Sequence, residues 1–147
     1  MQALEVLLVE DNPADALLVR EALGKIGIHD QMAQSGDGDS AATFLQEQLR
    51  KNSVPDLIIL DLNLPGKNGA TLLAELKSDP RLRHIPVVVF SSSQSDFDIA
   101  RSYQLGANCY VAKPLDLQRF FWAVGKIADF WYGCASLAQK KRGIMNE

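Results

Sequence analysis

The sequence predicts an α/β fold: a doubly wound, five-stranded parallel sheet of order 2-1-3-4-5, with helices on both faces and a C-terminal helical extension. Three observations carry this prediction. Short apolar runs at Leu4–Val9, Leu57–Leu60, Val87–Phe90 and Cys109–Ala112 read as strands buried on both faces. Segments with apolar residues at helical spacing lie between them. Glu10-Asp11, Asp61, Ser91 and Lys113 stand just past the ends of these runs, at the edge where open α/β sheets gather their ligand sites.

Strand one, Leu4–Val9, is followed by Asn12-Pro13, a helix cap with proline at the first helical position, and then by Ala14–Ile26 as helix one. A weaker strand, Gln31–Gln34, leads through Gly36-Asp37-Gly38 into helix two at Ser40–Leu49, where Ala42, Leu45 and Leu49 recur at helical spacing. Pro55 precedes strand three, Asp56–Leu60. Pro65-Gly66 then turns the chain into helix three, Ala70–Ser78, which Asp79-Pro80 ends. Pro86 precedes strand four, and Asp96 opens a helix four that runs to Gly106. Strand five is Asn108–Ala112, and Leu115 onward is helix five, continuing to about Gln139. Consecutive β-α units imply right-handed crossovers. The order 2-1-3-4-5 places Glu10-Asp11 and Asp61 on either side of the switch point.

With 147 residues, the chain is expected to be one domain over 1–129, with 130–147 as an aromatic extension of helix five and a tail. A net charge of -3, with 22% charged and 47% hydrophobic residues, provides no field for nucleic acid. No apolar run is long enough to span a membrane, and no signal-type core opens the chain, so a cytoplasmic location is expected. Lys140-Lys141-Arg142 reads as a solvated helix end or frayed tail, and Cys109 and Cys134 as free thiols.

The strand-end residues have a shared chemistry. Glu10, Asp11 and Asp61 cannot all remain ionised within a few ångströms of one another without a counter-charge. A hard divalent cation supplies it, and all-oxygen ligands favour Mg2+ over zinc; His29 and His84 lie away from this edge. A carboxylate beside such an ion can attack a phosphoryl group, and Asp61 is the candidate because Asn63-Leu64-Pro65-Gly66 bends the chain away from it. Asn63 can lend a backbone carbonyl to the metal, Ser91 and Ser92 can bind phosphate oxygens, and Lys113 supplies a point charge. Taken singly, the acidic pair reads as helix-dipole charge, Asp61 as a turn residue and Lys113 as a surface cation. Their conjunction at separate strand ends favours phosphoryl transfer.

These residues resemble the receiver domains of two-component response regulators, from Leu4 to about Ile127. The likeness rests on Glu10-Asp11, Asp61 in Asp-Leu-Asn-Leu-Pro, Gly69, Ser91, Tyr110 and Lys113-Pro114. Glu10 stands where many members have aspartate, and Ser91 where threonine is commoner. The resemblance implies a flavodoxin-like fold and a phosphoryl group passed from a sensor histidine kinase to Asp61. It also implies Mg2+ held by Glu10, Asp11, Asp61 and the Asn63 carbonyl, Lys113 on the phosphate, and Asn63 and Ser93 beside the water that removes it. Val-Glu-Asp-Asn-Pro-Ala-Asp, Ser102–Asn108 and the Phe-Trp pair of helix five are similar to stand-alone regulators paired with phytochrome kinases. No output domain is expected after the receiver, so signalling is expected through a protein contact and without turnover of an external substrate.

Further expectations concern geometry. Ser91 and Tyr110 form a switch, and Lys113-Pro114 is cis so that the ammonium points back into the crevice as helix five begins. On helix five, Leu117, Phe120, Phe121, Val124, Ala128 and Trp131 face the sheet, leaving Trp122 and Phe130 outside as an interface for a homodimer through helix four, strand five and helix five. The competing classes are a haloacid-dehalogenase-like phosphatase, which wants an acid where Asn63 stands, and a flavodoxin-like flavin module, whose phosphate loop Asp11-Asn12-Pro13 does not supply.

Overall fold

The structure is a computed structural model that describes residues 4–27 and 32–138. His29, Gln31, Gln139 and Lys140-Lys141-Arg142 lie outside the described residues. The elements are β1 (Val6–Val9), α1 (Pro13–Gly24), β2 (Met32–Ser35), α2 (Gly38–Arg50), β3 (Leu57–Leu60), α3 (Gly69–Ser78), β4 (Val87–Ser91), α4 (Asp96–Gln104), β5 (Cys109–Ala112) and α5 (Leu117–Gly133). All strand pairs are parallel, in the order β2-β1-β3-β4-β5.

Strand alternation divides the apolar side chains between two cores. Val6, Leu8, Leu57, Ile59, Val88 and Phe90 meet α1 and α5 on one face. Leu7, Val9, Ile58, Leu60, Val87 and Val89 meet α2 and α3 on the other. Every residue of β1, β3 and β4 is buried, which is why these strands read as continuous apolar runs. Edge strand β2 is only partly covered, in keeping with its weaker sequence signal, whereas β5, expected to be buried on both faces, is partly covered along its whole length because it too is an edge strand. Asn12, Asp37, Asn68, Ser95 and Asp116 cap the five helices, each accepting from a first-turn backbone N–H.

Helix α5 differs from expectation at both ends. It begins at Leu117, two residues later than expected, and stops at Gly133, where the N–H groups of Cys134 and Ala135 both donate to the Phe130 carbonyl. Glycine is a poor helix residue, and this pairing closes the last turn. Phe120, Val124 and Ala128 are buried as expected, with Ala123 and Ile127 beside them, and Phe120 meets Phe90 edge-on at 5.2 Å. Phe121 and Trp131 are partly buried, whereas Leu117, expected to face the sheet, is exposed. Tyr132 donates to the Leu4 carbonyl at 2.9 Å and ties the end of α5 to the start of β1.

Candidate phosphoryl-transfer site

The carboxyl ends of β1, β3, β4 and β5 converge at the switch point between β1 and β3. Glu10 is held there by its N–H on the Ser35 carbonyl, and Asp61 by its N–H on the Val9 carbonyl, both at 3.0 Å. Lys113 comes directly after β5, its N–H donating to the Ser91 carbonyl at 2.8 Å. Backbone pairing therefore continues one residue past the strands and sets these side chains side by side.

Carboxylate oxygens of Glu10, Asp11 and Asp61 all lie within 4.8 Å of one another, with Glu10 and Asp61 buried and Asp11 exposed. Both oxygens of Asp61 are engaged: Oδ1 accepts from the Asn63 N–H at 3.3 Å and Oδ2 from Lys113 Nζ at 3.2 Å. Lys113 Nζ also lies 2.7 Å from Glu10 Oε1 and 2.9 Å from Asp15 Oδ2. Burial, reinforced by the charge of Asp61 and opposed by the Lys113 hydrogen bond, pushes the Glu10 carboxyl up to about 7. One ammonium does not neutralise three carboxylates. For Lys113, burial disfavours the charge, but hydrogen bonds to Glu10 and Asp15 outweigh it and hold the pKa above the ordinary lysine value. A hard divalent cation fits this donor set, with three carboxylates and no nitrogen or sulfur ligand, one carboxylate being open to solvent.

The β3–α3 loop keeps the mouth of the site in place. Gly69 donates to the Leu62 carbonyl at 2.9 Å, and a Cβ on it would stand 2.3 Å from the Asp61 carbonyl oxygen, so no larger residue fits without moving the loop. Gly66, at φ +67°, makes the turn beyond Asn63. Ser91 is fully buried, its hydroxyl accepting the Ser93 N–H at 3.4 Å, while Ser92 is exposed. Tyr110 packs against the α2–α3 core, and its hydroxyl donates to the Ser93 carbonyl at 2.7 Å. Ser93 in turn donates to Asp98 at 2.6 Å. The Tyr110 ring thus already lies against the β4–α4 loop.

One expectation is corrected: no cis peptide occurs among the described residues, and Lys113-Pro114 is trans. The geometric premise fails because helix α5 starts only at Leu117, capped by Asp116, so Pro114-Leu115-Asp116 provide room to redirect the chain. With the bond trans, the ammonium still reaches Glu10 and Asp61. Trp122 and Phe130 are 64% and 51% exposed, on the outside of α5. Asp15 is a site residue that the sequence alone does not mark, because an acid in a first helical turn is ordinary dipole chemistry. Its signal is position, since α1 starts at the same sheet edge as the carboxylate cluster.

Fold and site together define a phosphoacceptor module of the two-component type. Residues 6–124 match the response regulator receiver domain, and the chain belongs to that family. Such domains assist their own phosphorylation and dephosphorylation rather than turning over an external substrate, and membership of this family sets aside the phosphatase and flavin-module readings. Response regulator Rcp1 of Synechocystis sp. is 42% identical over 134 residues, covering 90% of this chain and 91% of that protein. The crystal structure of the phosphorylated cyanobacterial phytochrome response regulator RcpA superposes with a TM-score of 0.89 at 43% identity, covering 94% of this chain and all (100%) of that one. A Mn(2+)-bound form of Rcp1 gives 0.86 at 43%, covering 92% and 99%, and bacteriophytochrome response regulator RtBRR gives 0.73 at 36%, covering 99% and 88%. No described helix is long and apolar enough to cross a membrane.

Proposed function

We infer that this receiver accepts a phosphoryl group on Asp61 from a sensor histidine kinase of phytochrome type, in the cytoplasm, with Mg2+ held by Glu10, Asp11, Asp61 and the Asn63 carbonyl. The observation that carries this reading is the buried Asp61 carboxylate, positioned by the Asn63 N–H and facing both the acidic cluster and the Lys113 ammonium. The bound ion would screen the incoming phosphoryl charge. The chain's own residues do the remainder. Asp61 presents one oxygen to phosphorus, Lys113 and the Ser91 hydroxyl bind phosphoryl oxygens, Ser92 at the loop mouth adds a further donor, and Asn63 and Ser93 line the approach of the hydrolytic water. Phytochrome pairing is supported by the likeness to RcpA and RtBRR over nearly the whole chain.

The output reading is a contact through α4, β5 and α5, where Phe97, Tyr103, Leu115, Leu117, Trp122 and Phe130 are exposed. A two-fold homodimer uses such a patch twice and closes. Ser91 drawn toward phosphate would shift the β4–α4 loop that holds Tyr110, changing that face.

Incubation with acetyl phosphate and Mg2+ should add one phosphoryl group, located at Asp61 by mass spectrometry and lost in Asp61→Asn. An adduct elsewhere, or labelling undiminished by a chelator, would overturn the assignment. Light scattering tests the output: Trp122→Glu should dissociate a wild-type dimer, and a wild-type monomer with and without phosphodonor would refute it.

A further inference from the structure

The proton donors of Lys113 are fully committed. An ammonium has three, and Nζ faces Glu10 at 2.7 Å, Asp15 at 2.9 Å and Asp61 at 3.2 Å. Once Asp61 is phosphorylated its carboxylate charge passes to the phosphoryl oxygens, which inherit its contact with Nζ; a second phosphoryl oxygen can be bound by Lys113 only if Glu10 or Asp15 is released. Glu10 and Asp61 are anchored at strand ends, with side chains 1% and 6% exposed, whereas Asp15 sits in the first turn of α1 with its side chain 26% exposed. Asp15 is therefore the contact that costs least to release, since water can take over its carboxylate.

The local geometry of α1 makes that contact possible. Asp15 is the third helical residue after the Asn12 cap, a position from which an acid often reaches back to the cap's own N–H. Here the Asn12 N–H donates to Glu10 Oε2 at 3.1 Å instead, while the Asn12 side chain accepts the Ala14 and Asp15 N–H groups. The Asp15 carboxylate is not used in capping and turns to Lys113.

We propose that Asp15 is a positioning residue that acts through Lys113: a resting counter-ion that competes with the phosphoryl group for the ammonium and so opposes phosphorylation of Asp61. This rests on the reading of Asp61 as phosphoacceptor. In the step concerned, an Asp61 oxygen forms a bond to phosphorus as the donor's bond to phosphorus breaks, and the leaving group departs with that electron pair. Lys113 then exchanges Asp15 for a second phosphoryl oxygen.

The test is equilibrium binding of beryllofluoride, a phosphoryl mimic, at saturating Mg2+, together with the concentration dependence of labelling by acetyl phosphate. Asp15→Asn, which keeps the size and loses the charge, should bind beryllofluoride about threefold to tenfold more tightly and half-saturate at lower acetyl phosphate. Asp15→Glu should stay near wild type. In a Lys113→Met background, Asp15→Asn should produce no gain, because the effect travels through the ammonium. A purely structural role at the α1 N-terminus would lower stability without tightening the mimic. Unchanged or weaker binding by Asp15→Asn overturns the proposal. So does an equal gain in Asp15→Glu, or a gain that survives in Lys113→Met. Wild-type protein that neither labels at Asp61 nor binds beryllofluoride overturns the phosphoacceptor reading and the proposal together, a result distinct from failure at Asp15 alone.

Discussion

Stability of the metal-free protein should fall as pH rises from about 4.5 to 7, and Glu10→Gln should abolish that fall. The Glu10 carboxyl moves from an ordinary 4.5 to about 7 on folding, mainly through burial, with Asp61 adding to it and Lys113 opposing it. A carboxyl raised on folding binds its proton more tightly in the native than in the unfolded state. Its contribution is complete below pH 4.5 and is lost as pH climbs through about 7. At about 1.4 kcal/mol per pH unit the loss totals about 3 kcal/mol, and the group is only 2% exposed, so solvent screening removes little of it. For a domain near this size that corresponds to roughly 5–10 °C in melting temperature. The other shifted groups act outside the window. Asp37 and Asp79, held low by hydrogen bonds from Ser40 and Arg81, lose their contribution only below the usual carboxylate range, and Lys113 loses its own only above the usual lysine range. Saturating Mg2+ should displace the proton and flatten the profile, since ligand at a hundredfold excess over Kd adds about 2.7 kcal/mol to the native state. Urea unfolding of wild type and Glu10→Gln at pH 5, 6, 7 and 8, with chelator and with Mg2+, reads all of this. Parallel profiles for the two proteins in chelator would refute the reasoning, as would a wild-type slope indifferent to Mg2+.

Gly69→Ala should destabilise the fold by about 1–3 kcal/mol and weaken Mg2+ binding, because its Cβ would fall 2.3 Å from the Asp61 carbonyl; an unchanged metal titration would contradict this. Tyr132→Phe removes the bond to the Leu4 carbonyl and should cost about 1 kcal/mol in urea unfolding, while leaving acetyl phosphate labelling intact. Phe120→Ala opens a cavity beside Phe90 and should cost about 3–5 kcal/mol, measured the same way. Ser91→Ala should still accept phosphate but blunt the change that labelling produces at Tyr110, tracked by NMR of the ring; a full response would remove Ser91 from the switch.

The layered sheet and most of the site were legible in the chain, because burial on both faces leaves a distinctive mark. Leu57–Leu60 and Val87–Phe90 have no polar residue to place in water, so each is a central strand, and the residue just past each one must lie at the sheet edge. That reasoning alone puts Glu10, Asp61, Ser91 and Lys113 in one crevice, and the carboxyl cluster and Lys113 contacts agree with it. Three features needed the tertiary structure. The expectation of a cis Lys113-Pro114 bond rests on a helix five that begins at Leu115. In the structure Pro114, Leu115 and Asp116 turn the chain first, and Asp116 caps a helix that begins only at Leu117. The docking of the last turn of α5 on the start of β1 is also tertiary, since the Tyr132 hydroxyl donates to the carbonyl of Leu4, a residue 128 positions away. Asp15 looks like any first-turn acid until Lys113, 98 residues on, is folded against it. Periodicity and burial are local properties that each segment carries in its own composition. Partner choice among charged groups at a shared edge is decided by distances that exist only once the strands are paired.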